Sequence, residues 1–232
     1  MRQLPLGVRL RDTARFESYV PGPNGEVVAL LAGPAAAMPR VVWVWGRDGS
    51  GKTHLLEAAC AAAAARDGAA TYIDPAAGAE PGWLEGCEGL DLVCLDSLDA
   101  IADDPAWNAA IFRLHTLMQD GPGRLLIASG APPASLPFQL PDLRSRLLAA
   151  SVHQLRELGD ADLVEALRLR AARRGLELAE EGATYLLHRL PRDMHTLCAV
   201  LDRLDEASLA AQRRLTVPFL RSVLGDQPPA GA

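Results

Sequence analysis

Val41-Val42-Trp43-Val44-Trp45-Gly46-Arg47-Asp48-Gly49-Ser50-Gly51-Lys52-Thr53-His54-Leu55-Leu56 is the stretch whose reading decides the fold. A β-branched and aromatic apolar run enters a loop of the form G-x-x-x-x-G-K-[ST], and an Ala-rich, helix-prone run leaves it. In the order strand, glycine-rich turn, helix, this pattern is a phosphate cradle. Gly46, Gly49 and Gly51 can take positive φ and carry no Cβ, so the backbone can curl closely around an anion. Successive N–H groups then face phosphate oxygens, and the helix that follows contributes its positive end. Lys52 can reach the β- and γ-phosphates, and Thr53 can place its hydroxyl on Mg²⁺. Asp48, Ser50 and His54 are the other positions of the loop and first helical turn expected to line the nucleotide. The ligand this predicts is a nucleoside triphosphate or its diphosphate.

Composition sets the frame. A chain of 232 residues has room for one large domain, or for a medium one and a small one. Hydrophobic residues make up 49%, enough for a sizeable core. A formal charge of −6 argues against broad, non-specific nucleic-acid binding, which needs a basic face to displace counterions. Cys60, Cys87, Cys94 and Cys198 form no C-x-x-C pair and have no His at zinc spacing, so buried free thiols are expected. That usage fits a reducing cytosol. No apolar run approaches the length of a membrane span and no export signal is visible, so a cytoplasmic protein with no membrane partner is expected.

In chain order, residues 1–11 read as an extended tail that carries Pro5 and Gly7 and shows no helical period. Gln3-Leu4-Pro5-Leu6 within it is either a frayed end or a short anchor that presents two leucines to a pocket. Five strands are predicted, over residues 41–45, 70–73, 92–96, 125–129 and 152–155, alternating with helices over 53–66, 105–119 and 140–148. This alternation implies an α/β fold with a parallel sheet covered on both faces. Gly46, Asp96 and Ser129 then fall at the carboxyl ends of strands, where such sheets bind ligands. Asp96 reads as a Mg²⁺ carboxylate beside the loop, or otherwise as a loop residue after a buried strand. From about residue 158 strand signals stop and four helices follow, which predicts a small α-helical domain. The expected layout is a tail over 1–11, a nucleotide-binding domain over 12–157, a helical domain over 158–225 and a disordered end over 226–232.

Gly49-x-Gly51-Lys52-Thr53-His54-Leu55-Leu56 followed by Ala58, with Phe16-x-x-Tyr19-Val20-x-Gly22-x-Asn24 upstream, resembles the bacterial initiator DnaA and its AAA+ relatives. Residues 92–96, Leu140-Pro141-Asp142-Leu143-Arg144-Ser145-Arg146-Leu147 and Leu215-Thr216-Val217-Pro218-Phe219 bring the likeness nearer to the Hda family, regulatory inactivators of DnaA. The resemblance runs from about Phe16 to Leu224, includes the helical lid and stops short of a DNA-binding module. It implies an AAA+ fold that holds ADP or ATP with Mg²⁺. By position it implies Asp96 as the Walker B carboxylate, Ser129 at sensor 1, Arg192 at sensor 2, and Val20 and Pro21 beside the adenine. Arg146 takes the place of an arginine finger, although on its own it would read as a solvated helix-surface residue. Gln3 to Leu6 is similar to a peptide that binds the sliding clamp of DNA polymerase III.

The function so implied is negative control of replication initiation. The protein would bind the clamp, dock on the AAA+ domain of DnaA and supply Arg146 to the ATP held there. DNA would be met only through these partners, and a homo-oligomer is expected. Active relatives carry an acid directly after the Walker B Asp, whereas this chain has Ser97, with Asp99 the next carboxylate. A serine does not accept a proton at neutral pH, so weak intrinsic turnover is expected. Two alternatives stay open at this point: a self-sufficient ATPase of the initiator or helicase-loader kind, and a non-catalytic adaptor that tethers DnaA to the clamp.

Overall fold

The computed structural model describes residues 14–119, 121–211 and 215–225. Five strands form one parallel sheet: β1 (Val41–Trp45), β2 (Ala70–Ile73), β3 (Leu92–Leu95), β4 (Arg124–Ser129) and β5 (Ser151–Gln154), in the order β2-β3-β4-β1-β5. The chain leaves β1 for the far edge at β2, returns strand by strand to β4, and places β5 on the other side of β1. In register, Val41 to Trp45 pair with Leu125 to Ser129 on one side, and Val42 to Trp45 with Ser151 to Gln154 on the other. The expected α/β architecture is therefore present, with all strand pairs parallel.

Side-chain alternation distributes these strands between two faces. Trp43, Val93, Leu95, Leu125 and Ile127 join Trp107, Ile111 and Leu114 of α3 (Pro105–Met118) and Leu143 and Leu147 of α4 (Pro141–Leu148) in one core. The opposite face meets α2 (Lys52–Ala64), where the Cys94 thiol donates to the Leu56 carbonyl at 3.6 Å and the Cys60 thiol to that of Thr71 at 3.4 Å. A short α1 (Gly25–Ala32) packs beside α2. Leu55, Leu56 and Val42 are fully buried, so the Ala-rich composition of α2 serves close approach as well as helix propensity. None of the four cysteines is in a disulfide; three are buried, and Cys198 is only half-buried.

The start of α3 follows from its sequence. Asp104 caps it by accepting from Ala106 and Trp107 N–H at 2.7 and 3.2 Å, and Pro105 occupies the first turn, where no N–H partner is needed. Its buried Asn108 does what no periodicity reveals. Nδ2 donates to the carbonyls of Ala102 and Asp104 at 2.9 and 2.7 Å, while Oδ1 accepts from Gln139 and Leu140 N–H at 3.0 and 3.3 Å. One amide thus ties the entry of α3 to the entry of α4.

A second compact unit begins at Arg156, and the segments Glu17–Pro23 and Asp48–Ser50 belong to it. Its helices are α5 (Asp160–Arg173), α6 (Glu180–Arg189), α7 (Met194–Ala211) and α8 (Val217–Leu224). Leu163, Leu167, Leu186, Leu197, Leu201 and Leu220 form its core. Gly175 at φ 74° ends the turn after α5, and the Asp193 carboxylate caps α7 by accepting from Thr196 N–H at 2.7 Å. Among the described residues, no helix is long and apolar enough to cross a membrane.

Replacing Asn108 with Ala should destabilise the protein by roughly 2–4 kcal/mol, because the Gln139 and Leu140 N–H groups lose their buried acceptor. A urea midpoint that falls at unchanged m-value is the expected result; an unchanged midpoint would mean water satisfies both groups.

Candidate functional site: the phosphate loop and the carboxyl ends of the strands

At the carboxyl end of β1 the Gly46 N–H donates to the Ser129 carbonyl at 3.3 Å, so the loop begins directly beside the end of β4. Left-handed backbone then falls on Gly49 (φ 78°) and Gly51 (φ 91°), not on Gly46 as the motif alone suggested. Gly46 simply extends the strand pairing, and the two later glycines turn the chain into the helix. The Lys52 ammonium reaches back over the loop and donates to the carbonyls of Gly46 and Arg47 at 2.7 and 2.9 Å. Thr53 is exposed in the first turn of α2, and His54 Nε2 lies 3.0 Å from the Arg15 carbonyl.

Asp48, Gly49 and Ser50 belong to the second unit. There the Tyr19 hydroxyl donates to the Ser50 carbonyl at 3.2 Å, and a Cβ on Gly49 would press to 3.3 Å from both Asp193 Cβ and Met194 N. The Ser50 hydroxyl is buried and has no hydrogen-bond partner among the described residues. Val20 in the same unit is buried and Pro21 exposed. Gly22 holds φ 47° where a Cβ would meet Leu158 and Asp162 within 3 Å, so only glycine fits. Arg192 pairs with Asp160 at 3.2 Å, an ion pair with side chains 60% and 62% exposed and therefore easily exchanged.

Asp96 follows β3 and is 2% exposed. Its Oδ1 accepts from Ser97 N–H and its Oδ2 from the Tyr72 hydroxyl, each at 2.8 Å. Burial and then the Asp96 charge push the Tyr72 phenol far above its ordinary range, so it stays a donor. Ser97 sits in left-handed backbone at φ 51°, uncommon for a residue with a side chain. Asp99 is exposed, yet its Oδ1 accepts from Gly130 N–H at 2.9 Å. This carboxylate therefore fastens the segment that follows Ser129. Ser129 is fully buried, and its hydroxyl accepts from Ala131 N–H at 3.2 Å.

Arg146 lies elsewhere. Its guanidinium stacks on the Phe112 ring at 4.4 Å from the centroid, while Nη1 donates to His115 Nδ1 at 3.2 Å and to Thr116 Oγ at 2.7 Å. His115 lines a cavity with Arg40, Val41 and Leu125, at the amino ends of β1 and β4, the end of the sheet opposite to Gly46. Arg144 is exposed, whereas Arg146 is half-buried. Arginine is always a donor, so His115 Nδ1 must carry no proton; burial and then the Arg146 charge hold the imidazole below its ordinary value. Sequence patterns did not point to Tyr72, Phe112, His115 or Thr116, because contacts across strands and helices have no fixed spacing along the chain. Gln3, Leu4, Pro5 and Leu6 lie outside the described residues.

A parallel sheet of this order, with a glycine-rich loop leaving β1, and a separate helical unit are the features to set beside known proteins. Residues 160–224 match the family described as Hda, lid domain. The fold is that of domain III of the Thermotoga maritima initiator DnaA, at TM-score 0.80 and 18% identity over 94% of this chain and 98% of that one. DnaA from Aquifex aeolicus, solved with AMPPCP bound, gives 0.72 and 18% over 87% of this chain and 67% of that one. The Thermotoga maritima RuvB branch migration motor gives 0.68 and 16% over 93% and 72%. The chain is thus similar in fold to DnaA and to a branch migration motor, and the helical segment is similar to the Hda lid family.

The lowered His115 value has a consequence for stability. The unfolded chain takes up a proton near the ordinary 6.5, the folded one only at lower pH. Stability from this site is therefore complete above about 6.5 and is lost as pH falls through the folded value. Urea midpoints compared at pH 7.5 and 5.5 should fall further for the unaltered protein than for His115→Gln, and equal falls would mean that His115 is not held neutral by Arg146.

Proposed function

We propose that this chain is a regulator of DnaA. In this reading it holds ADP or ATP with Mg²⁺ at Gly46 to His54, binds the AAA+ domain of DnaA, and stimulates hydrolysis of the ATP bound there. The match of residues 160–224 to the Hda lid domain carries this reading, together with the DnaA-like fold. The proposed layout is a clamp-binding tail over 1–11, a nucleotide-binding domain over 12–157 and a lid over 158–225, with partners in DnaA and the polymerase sliding clamp. Self-association belongs to the same proposal.

The residues present fit a nucleotide and Mg²⁺. Two glycines in left-handed backbone, a lysine folded over the loop and an unpartnered buried Ser50 hydroxyl suit phosphate oxygens. A hydroxyl at Thr53 and a carboxylate at Asp96 are hard oxygen donors of the kind Mg²⁺ takes. Bound there, Mg²⁺ would neutralise charge on the phosphates. Val20 and Pro21 would flank the adenine, Ser129 and Arg192 would sense the γ-phosphate, and Asp48 and His54 would line the loop. Two observations favour slow intrinsic turnover over a self-sufficient ATPase: Ser97 stands where an acid would activate water, and the Asp99 carboxylate is engaged by Gly130 N–H.

Arg146 is the proposed arginine finger toward the ATP of DnaA. Nη1 is occupied by His115 and Thr116, which leaves the Nε–Nη2 edge as a fork for two phosphate oxygens. Stacking on Phe112 holds the guanidinium plane and lowers the ordering cost of presenting that edge.

Nucleotide binding is tested by calorimetry. Lys52→Ala should weaken Mg²⁺-dependent ADP binding at least 10-fold, and equal affinity would remove the loop from the proposal. The partner activity is tested by incubating the protein with ATP-loaded DnaA and DNA-loaded clamp and following DnaA-bound ADP. Arg146→Ala should slow its appearance by about 10³-fold, as for other arginine fingers, with nucleotide and clamp binding intact. Arg144→Ala should change little. Full stimulation by Arg146→Ala would leave a tethering adaptor, and a Gln3→Ala, Leu4→Ala double change that still binds the clamp would dismiss the tail.

A further inference from the structure

Tyr72 is a buried polar group whose chemistry the phosphate-loop motif leaves unused. It stands on β2 opposite Cys94 of β3, so Tyr72, Cys94 and Asp96 share the sheet face that α2 covers. A phenol that is 8% exposed needs a partner for its hydroxyl, and the partner is Asp96 Oδ2 at 2.8 Å. Packing alone would be met by Phe. A buried carboxylate, in turn, needs donors, and Asp96 has one on each oxygen, from Ser97 N–H and from Tyr72. With both oxygens pinned, rotation about its Cβ–Cγ bond is arrested, and each oxygen keeps one lone-pair direction for another ligand.

We propose that Tyr72 is a positioning residue for Mg²⁺: its hydroxyl, fixed by the β2–β3 register, locks the Asp96 carboxylate in the orientation in which it serves a nucleotide-bound divalent cation. This rests on the reading of Asp96 as the metal carboxylate. Partners that orient a ligating carboxylate act on metal affinity without touching the metal, and their loss typically weakens it 10–100-fold. Edge strand β2 thereby acquires a role in the chemistry at the end of β3.

The test uses the full chain and titrates ADP by calorimetry in EDTA and over a series of Mg²⁺ concentrations. Tyr72→Phe should leave the affinity in EDTA unchanged and raise about 10-fold the Mg²⁺ needed for half of the metal-dependent gain. Asp96→Asn should abolish that gain. If Asp96→Asn keeps the full gain, the reading of Asp96 fails, whatever Tyr72 does. If Asp96→Asn loses it while Tyr72→Phe matches the unaltered protein, the positioning role is overturned. Should Tyr72→Phe not fold, ring-labelled tyrosine NMR of the unaltered protein decides, with assignment from Tyr19→Phe and Tyr185→Phe. The Tyr72 resonance should then move when Mg²⁺ is added to the ADP complex, and a resonance that stays in place would overturn the proposal.

Discussion

Parallel pairing of β1 with β4 is the constraint on which the rest depends. It ends with Gly46 N–H on the Ser129 carbonyl, so the loop opens directly beside the end of β4. The next pairing, β4 with β3, sets Asp96 one strand further along the same edge. Three segments far apart in the chain thus reach one end of the sheet because parallel strands all finish there. Placing β1 between β4 and β5, with β2 at the far edge, makes the carboxyl ends of β1 and β4 the crevice of the sheet.

A sheet covered on both faces leaves few polar groups inside, and those at its strand ends and at the start of α3 are held by hydrogen bonds. Asn108 makes four hydrogen bonds, Asp96 takes a donor on each oxygen, and Asp99 holds Gly130 at the end of β4. These bonds stiffen the ends of the strands, where small displacements would matter most for binding. Ser97, in left-handed backbone between two such anchored residues, is held there by its neighbours.

Arg146 shows the same economy on another face. Its helix is set by Asn108 at one end, and its guanidinium is held by Phe112, His115 and Thr116 of α3. Among the described residues, a ring, an imidazole and a hydroxyl make this support, and no carboxylate pairs with Arg146. The result is a cation with fixed geometry at the amino-end side of the sheet, away from the loop of its own chain.

The strands, the helices around them and the glycine-rich turn between β1 and α2 could be read directly from the sequence. Each depends on local order: apolar runs for buried strands, an Asp-Pro start for α3, and glycine, lysine and threonine at fixed spacing for the loop. Even Gly49 and Gly51 were legible, while Gly46 was not, since whether a glycine turns or continues a strand depends on what pairs with it. Tertiary structure alone decided that Tyr72 meets Asp96, that Asp99 is engaged by Gly130 and that His115 must be neutral beside Arg146. These contacts join residues 24, 31 and 31 positions apart through strand register and helix packing. Such distances in sequence carry no periodic signal, because the packing of one element on another sets them, and not the geometry of any single element.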